Sequence, residues 1–296
     1  MSFRYCAFGL RIAADFPLPE LRVDRAGGSA DVTVTAGPLP PGPSGHHLQV
    51  EGRTATLWVS DADATYRMED GRRVVVDSRG RAIGRNVRLY LLGSALGAIL
   101  HQRALLPLHA CALEIEGRGV AVLGRSGAGK STLSAWLVDR GARLLSDDVC
   151  VVRARGQGFV AEPGIPRLRL WREAIRARGD DPDLYPRSFE DWDKHDVPAQ
   201  ASALAGPAAL AGLFLLEEAP EIGFERLGGA AAVEALSANT YRGSYVSAMG
   251  RAAEHLGQCV ALARGVPIER FSRRRDLRKM DEANERLLER IAQLPG

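Results

Sequence analysis

The sequence predicts an α/β fold in which a small β-rich N-terminal domain, residues 1–82, precedes a larger α/β domain, residues 83–296. Three observations predict this fold. Short segments near the N-terminus alternate polar and apolar residues, apolar residues from about residue 86 have helical spacing, and residues 120–139 read as a strand, a glycine-rich loop and a helix. A chain of 296 residues with 46% hydrophobic and 25% charged residues has the length and composition of a globular protein with a proper core.

The first 80 residues contain short segments that alternate polar with β-branched or other apolar side chains. Gly, Pro and Asp bound these segments, which is typical of short strands separated by turns. The clearest examples are DVTVTAG (31–37), HHLQVEG (46–52), TATLWVS (54–60) and RRVVVDS (72–78).

From about residue 86 the spacing of apolar residues changes to that of helices, with strands between them. The predicted elements, in order, are a buried helix at 87–104, a hairpin of CALEIE and VAVLG around Gly117 and Gly119, a helix from 131 that ends at Gly141, strands RLLSDD, VCVVRA and FVAEPG, a core strand LAGLFLLEE (210–218), and helices in 230–240, 244–265 and 277–294. Residues 178–200, rich in Asp, Pro and Tyr, are expected to form a long exposed loop, either a surface insertion or a lid.

The charge balance does not favour nucleic acid as a partner. The net charge is +3, from 39 basic and 36 acidic residues. The basic cluster near the C-terminus is expected to be a solvated helix face; it comprises Arg273, Arg274, Arg275, Arg278 and Lys279.

The cysteines and the hydrophobic segments indicate a cytoplasmic protein. The four cysteines form no CxxC pair and have apolar neighbours, so buried, reduced thiols are expected. The N-terminus has no sustained apolar core of a signal peptide. The longest apolar run, residues 89–100, is too short to cross a hydrocarbon core of ~30 Å as a helix, so no membrane partner is expected.

The stretch GRSGAGKST has the pattern GxxxxGK[ST] between a predicted strand and a predicted helix. Glycines allow backbone N–H groups to turn toward an anion, and the helix N-terminus adds favourable partial charge. The sequence therefore predicts that ATP is bound here, with Lys130 on the β- and γ-phosphates and Ser131 as a Mg²⁺ ligand. The predicted nucleotide-binding residues are Gly124, Arg125, Ser126, Gly127, Ala128, Gly129, Lys130, Ser131 and Thr132.

A pair of aspartates, Asp147 and Asp148, follows the loop at short spacing. A ten-residue helix from Ser131 extends ~15 Å away from the loop. Five extended residues ending at Ser146 return ~16 Å, so the pair is expected beside the phosphates. One carboxylate can hold Mg²⁺ and the other can accept the proton of an attacking hydroxyl, which favours a kinase over a hydrolase. An ATP-driven transporter subunit shares such a loop, but we find no LSGGQ-type segment.

The segment from His109 to Val152 resembles the catalytic core of HPr serine kinase/phosphorylase. The shared features are a His before a hairpin, a GxSGxGKS loop, a helix, a Gly, and a strand ending in Asp-Asp. The resemblance implies that family's P-loop core, related to phosphoenolpyruvate carboxykinase. It also implies catalytic roles for Lys130 and for His109, which would lie close to the acidic pair, with Asp147 as the base and Asp148 as support for the metal.

Two departures from that family concern the substrate. Thr132 stands where the family has Glu, and EPGIPRLRLW occupies the region of an EIRGLG-like segment, so neither reverse phosphorolysis nor HPr as substrate is implied. A wider likeness, at FGLRIAADFPLPEL, IPRLRLW, ALSANTYRGSYV and VPIERFSRRRDL, is to the HPr-kinase-related proteins of lasso peptide biosynthesis. That resemblance implies phosphorylation of a C-terminal serine on a ribosomal precursor peptide.

Three arginines outside the loop are further candidates. Arg167 and Arg169 alternate along a possible strand, so both can face a peptide carboxylate or a phosphate, with surface ion pairing as the equal alternative. Arg242 is a candidate of the same weight, and Arg125 in the loop can reach a phosphate or remain solvated.

The leading hypothesis is thus a Mg-ATP-dependent serine kinase that acts on a peptide. A kinase of another protein or of a small-molecule alcohol, and a nucleotide-sensing protein without turnover, stay open as alternatives. A homo-oligomer is possible, because relatives of HPr kinase form hexamers.

Overall fold

The alternating N-terminal segments form an eight-stranded sheet within residues 2–276 and 280–295, the part of the chain that the computed structural model describes. The strand order is β3-β1-β2-β4-β8-β7-β6-β5, with parallel pairing of β2 with β4 and of β4 with β8. The strands are β1 (Phe3–Ala7), β2 (Leu10–Ala14), β3 (Arg22–Val23), β4 (Val32–Ala36), β5 (His46–Glu51), β6 (Thr54–Val59), β7 (Ala64–Glu69) and β8 (Arg73–Asp77).

Helical segments cover one face of this sheet. They are α1 (Arg85–Tyr90), a π-helical turn (Leu91–Ala95) and α2 (Leu96–Gln102), which confirm the buried helix predicted over 87–104. Tyr66 of β7 is fully buried in the shared core and donates its hydroxyl to the carbonyl oxygen of Val87, 2.8 Å away. Val149 and Ile165 of the second half of the chain belong to the same core. The domain division at residue 82 stays a prediction.

A second sheet, nine-stranded in the described part of the chain, carries the glycine-rich loop. Its path is β12-β10-β11-β17-β14-β13-β9, and β19 joins β17 to β18. The strands are β9 (Leu106–Leu108), β10 (Ala110–Ile115), β11 (Arg118–Leu123), β12 (Arg143–Ser146), β13 (Cys150–Arg155), β14 (Gly158–Glu162), β17 (Ala208–Glu218), β18 (Gly223–Leu227) and β19 (Ile268–Arg273). The predicted hairpin and core strand are confirmed; β18 and β19 were not predicted.

Helices bury both faces of this sheet, which explains the continuous apolar run of its central strand, β17. Leu213 points to the side covered by α5 (Gly229–Ala238) and α7 (Ala252–Gly265), whereas Phe214 points to the side of α3 (Lys130–Val138) and α8 (Met280–Ala292). In α8 the buried residues Ala283, Leu287 and Ile291 recur every four positions, so one stripe of the helix faces the sheet. The short helix α6 (Ser244–Ala248) lies between α5 and α7 in sequence.

The prediction of a long exposed loop at residues 178–200 is wrong in part, because the irregular, largely exposed stretch ends in a strand. These residues contain β16 (Lys194–Pro198), which pairs with β15 (Arg167–Trp171) in a two-stranded sheet, and α4 (Arg172–Ala177) precedes the segment. The strand KHDVP lacks an apolar run because its buried polar groups are paired. His195 Nδ1 lies 2.9 Å from the carbonyl oxygen of Tyr185, and Asp196 accepts from Ser188 at 2.6 Å.

The predicted solvated helix face near the C-terminus is also wrong in part. Arg273 closes β19 and its side chain is buried, because the strand carries it toward the glycine-rich loop. Arg278 and Lys279 lie outside the described residues. Among the described residues, no helix has both the length and the apolar character that a membrane crossing requires.

Candidate active site

The glycine-rich loop joins the end of β11 at Leu123 to the start of α3 at Lys130. Gly124, Gly127 and Gly129 have φ angles of 145°, 84° and 96°, a region in which side chains are strained. A Cβ on Gly124 would lie 2.9 Å from the carbonyl oxygen of Leu216, so the loop also approaches the neighbouring strand too closely for alanine. These residues form a cradle without side chains, which fits a polyphosphate.

Lys130 is buried and its ammonium points back into the loop. Its Nζ donates to the carbonyl oxygens of Gly124 (2.7 Å) and Arg125 (3.0 Å) and lies 3.1 Å from His109 Nε2. Burial lowers the pKa of Lys130, although Cys111 and the nearby carboxylates oppose this shift. The ammonium is therefore close to the loop but held by neutral acceptors that a phosphate can replace.

His109 stands between Lys130 and the acidic pair. Its Nδ1 lies 3.2 Å from the carbonyl oxygen of Asp148, an acceptor, so Nδ1 carries the proton and Nε2 accepts from Lys130. Burial lowers the pKa of His109, and the cation of Lys130 lowers it further. A neutral imidazole in this tautomer fixes where the lysine ammonium lies.

Asp147 is bound by three donors, none of them a cationic group. Its Oδ1 accepts from Ser131 Oγ at 2.9 Å and from Cys111 Sγ at 2.8 Å, and its Oδ2 accepts from the backbone N–H of Arg169 at 2.7 Å. Because the Ser131 hydroxyl gives its hydrogen to Asp147, the lone pairs of Ser131 Oγ remain available for a cation. The second acidic residue has a different environment.

Asp148 forms an ion pair with Arg169 and has a φ angle of 72°. Burial favours the neutral acid, but the charges of Arg169 and Lys194 outweigh it and hold the pKa of Asp148 well below its usual range. The ion pair with Asp148 raises the pKa of Arg169 against the effect of its burial. Asp148 is therefore an ionised carboxylate at neutral pH.

Two cavities adjoin the loop, one on each side. The larger, about 1150 Å³, lies against Gly124 to Ala128 and the ends of β17 and β19, and the other, about 580 Å³, lies against Ser126 to Thr132 and β15. His109 lines both cavities, and Asp148 and Arg169 line the second. This arrangement leaves the same loop open to two separate cavities.

The other predicted arginines lie near the second aspartate. Arg167 pairs with Asp196 at 2.8 Å, and it shares a face of β15 with Arg169. Arg242 donates to Ser94 Oγ at 2.6 Å and its guanidinium lies 5.6 Å from the ring centre of Tyr241. All three arginines line one small cavity together with Asp147 and Asp148.

Sequence reasoning missed two residues that the fold brings to the loop. Asn239, in the turn after α5, accepts the backbone N–H of Gly124 at 3.0 Å. Arg273 lies beside Gly129, and a Cβ on that glycine would be 3.1 Å from its guanidinium. Both residues come more than a hundred positions after the loop, and Arg273 was assigned to a solvated face because β19 was not predicted.

The oxygen atoms around the loop suit a hard cation whose remaining ligands are phosphate oxygens and water. Within residues 2–276 and 280–295, no group of three His, Cys, Asp or Glu side chains is arranged to hold a metal ion. Ser131, Asp147 and Asp148 offer oxygen ligands instead, and Mg²⁺ is usually held by one or two carboxylates together with substrate phosphates and water. These residues therefore fit Mg²⁺ bound with a nucleotide.

Comparison with known proteins agrees with the resemblance carried by this segment. Residues 103–165 match the family described as the HPr Serine kinase C-terminal domain. An HPr kinase/phosphorylase of Chloroherpeton thalassium is 35% identical over 71 residues, 24% of this chain and 21% of that protein. One of Chlorobium phaeovibrioides is 43% identical over 51 residues, 17% of this chain and 15% of that protein.

The match thus spans only 21% and 15% of the length of these two relatives. For residues 103–165, which include the loop and both aspartates, the predicted similarity to the HPr kinase family is confirmed. The structure of the Hpr(Ser) kinase/phosphatase from Coxiella burnetii aligns with a TM-score of 0.35 and 13% identity over 63% of this chain and 97% of that one. At that level of likeness, function has to be argued from the residues of the chain itself.

Proposed function

We propose that this protein is a Mg-ATP-dependent serine kinase. The observation that carries the proposal is the 2.9 Å hydrogen bond between Ser131, at the start of the helix after the loop, and Asp147, at the end of the next strand. It joins the phosphate cradle to an acidic pair, which phosphoryl transfer needs for a metal and for a proton. The similarity of residues 103–165 to HPr kinases supports the same reaction class.

The loop amides and Lys130 would bind the β- and γ-phosphates. Lys130 is already directed into the loop, and phosphate oxygens would replace the carbonyl oxygens of Gly124 and Arg125 as its acceptors. His109 would keep the ammonium in place as a positioning residue. Bound Mg²⁺ would neutralise charge on the phosphate oxygens, and Ser131 is the residue best placed to ligate it.

The geometry favours exchanging the roles that the sequence suggested for the two aspartates. Asp147 is tied to the predicted Mg²⁺ ligand Ser131, so we assign Asp147 to the metal side. Asp148 lines the cavity on the other side of the loop, and its contacts with Arg169 keep it ionised. In this assignment the serine oxygen attacks the γ-phosphorus and its proton passes to Asp148. The bond from the γ-phosphorus to the bridging oxygen breaks, and ADP leaves.

The finer proposal concerns the acceptor, for which we favour the C-terminal serine of a ribosomal precursor peptide of the lasso type. It rests on the sequence resemblance, and the arginines around Asp148 are compatible with it. Arg167, Arg169 and Arg242 can offer donors to a peptide carboxylate beside the reacting hydroxyl. Trp171 and Trp192 are partly exposed beside this site and could contact an extended peptide.

Transfer of label from [γ-³²P]ATP tests the proposal. The full chain with Mg²⁺ is incubated with a peptide that ends in serine, its alanine-ended counterpart, HPr, or glycerol. We expect label on the serine-ended peptide alone, and a loss of about 10²-fold or more with Lys130→Met. Label on HPr or glycerol would replace the finer proposal by another acceptor. Tight ATP binding without transfer to any acceptor would indicate a nucleotide-sensing protein and overturn the kinase.

A further inference from the structure

Arg273 reaches the phosphate loop because of the parallel pairing in the second sheet. Strand β11, which leads into the loop, is parallel to β17, and β17 is parallel to β19. The carboxyl ends of these strands therefore lie at one edge of the sheet, and Arg273 is the last residue of β19. Phe271, two residues earlier, packs into the core between the sheet and α3. Arg273 continues that face and so lies over the N-terminus of α3.

The guanidinium of Arg273 is buried without a carboxylate. The residue is 5% exposed. Within the described residues, none of the ion pairs includes Arg273, its Nε has no hydrogen-bond partner, and NH1 has only a long contact, 3.3 Å, to the carbonyl oxygen of Arg274. A buried, unpaired cation is unfavourable, and the burial lowers the pKa of Arg273 accordingly. Arg273 thus holds a buried positive charge whose counter-ion is not a side chain of residues 2–276 or 280–295.

The surroundings of Arg273 indicate what that counter-ion is. The guanidinium lies close enough to Gly129 that a Cβ there would be 3.1 Å away, and it borders both cavities on the two sides of the loop. Arg270, in the same strand, is instead paired with Glu217 at 3.0 Å and with Glu225. Of the two arginines, Arg273 is the one left with donors directed at the phosphate cradle.

We propose that Arg273 binds the terminal phosphate of the nucleotide and stabilises the charge of the phosphoryl group during transfer. The proposal rests on the proposed function, since it needs a triphosphate in the loop. Guanidinium N–H groups match phosphate oxygens in a planar fork, so Arg273 would add a second cation to the ammonium of Lys130 at the phosphates. Its contact with the γ-phosphate predicts that it distinguishes ATP from ADP.

The experiment measures the affinities of the full chain for Mg-ATP and Mg-ADP by isothermal titration calorimetry. A charge-assisted contact of this kind corresponds to about a tenfold to hundredfold difference in affinity. We expect Arg273→Met to lose about that factor for ATP and to keep ADP affinity within about threefold. Arg273→Lys should recover part of the loss, because it retains the charge but not the fork. Arg226→Met is the control, since this exposed arginine of β18 lines neither cavity and the variant should bind ATP as the unaltered chain does.

Thermal melting separates this role from a structural one. Without nucleotide, Arg273→Met should melt at or above the temperature of the unaltered chain, because an unpaired buried charge has been removed. The rise in Tm that saturating ATP produces should shrink in the same variant. Equal loss of ATP and ADP affinity, or unchanged ATP affinity, would overturn the proposal while leaving the kinase intact. An unaltered chain that binds no ATP would overturn both.

Discussion

Replacing Asp147 by asparagine tests the metal side of the site, because the three donors around this carboxylate limit how an amide can fit. The backbone N–H of Arg169 is a fixed donor 2.7 Å from Oδ2, so the amide oxygen must turn toward it. The amide NH₂ then faces Ser131 Oγ and Cys111 Sγ, at the 2.9 and 2.8 Å positions of Oδ1. The serine hydroxyl must accept this hydrogen bond, which occupies one of the two lone pairs that are open to Mg²⁺.

Asp147→Asn should change the free energy of unfolding less than it changes the affinity for Mg²⁺. Hydrogen bonds to a charged group contribute about 1.5–3 kcal/mol and those to a neutral group about 0.5–1.5 kcal/mol. Because the serine and the thiol can rotate, Asp147→Asn should lower the free energy of unfolding by only about 1–2 kcal/mol. Loss of the charge and of the Ser131 lone pair acts directly on the cation, and substitutions that support a metal ligand typically weaken affinity by about 10–100-fold.

The assay is a Mg²⁺ titration of ATP binding and of ATP turnover, with thermal melting as the folding control. For Asp147→Asn we expect the Mg²⁺ requirement to rise by about 10–100-fold with little change in metal-free ATP affinity. The matched variant Asp148→Asn should keep the Mg²⁺ requirement and lose about 10²–10⁴-fold in transfer rate. The opposite pattern would refute the assignment and restore Asp147 as the base.

Three further predictions follow from the loop, the histidines and the core. Gly124→Ala should abolish ATP binding, since its Cβ would lie 2.9 Å from a carbonyl oxygen, whereas Gly117→Ala in an open turn should only lower Tm by a few degrees. Burial lowers the pKa of His101 and of His109 in the folded chain, so below pH 6.5 the unfolded chain binds more protons than the folded chain does. Tm should therefore fall as the pH drops below 6.5, and it should fall less in His109→Gln, which lacks one of these groups. Phe271→Ala, at a fully buried site, should lower the free energy of unfolding by about 3–5 kcal/mol in denaturant titrations.

Features of the site that depend on local sequence could be predicted. The loop lies between a strand and a helix that are adjacent in the chain, so the pattern GxxxxGK[ST] contains nearly all the information that its conformation needs. The short path back to Asp147 is likewise fixed by helix rise and strand rise. The predicted hairpin of CALEIE and VAVLG is present, at residues 110–123, for the same reason, since its two strands are joined by two residues.

Features that depend on distant pairing could not be predicted. β16 has the sequence KHDVP, whose buried His195 and Asp196 are satisfied by partners on other segments, so no apolar pattern marks it. β19 ends at Arg273, the first of three consecutive arginines, and such a run is typical of a solvated surface. Only the sheet order shows that Arg273 lies at the same edge as the loop.

The aspartate pair shows why adjacency in sequence leaves chemical roles undecided. The two neighbouring side chains are chemically identical, and the spacing predicts that both lie near the phosphates. The chain separates them at Asp148, whose φ angle of 72° turns the backbone immediately after Asp147. Asp147 thereby meets neutral donors and Ser131, while Asp148 meets the guanidinium of Arg169. The proposed division into a metal side and an acceptor side therefore rests on one left-handed residue, a conformation that aspartate adopts more readily than most side chains.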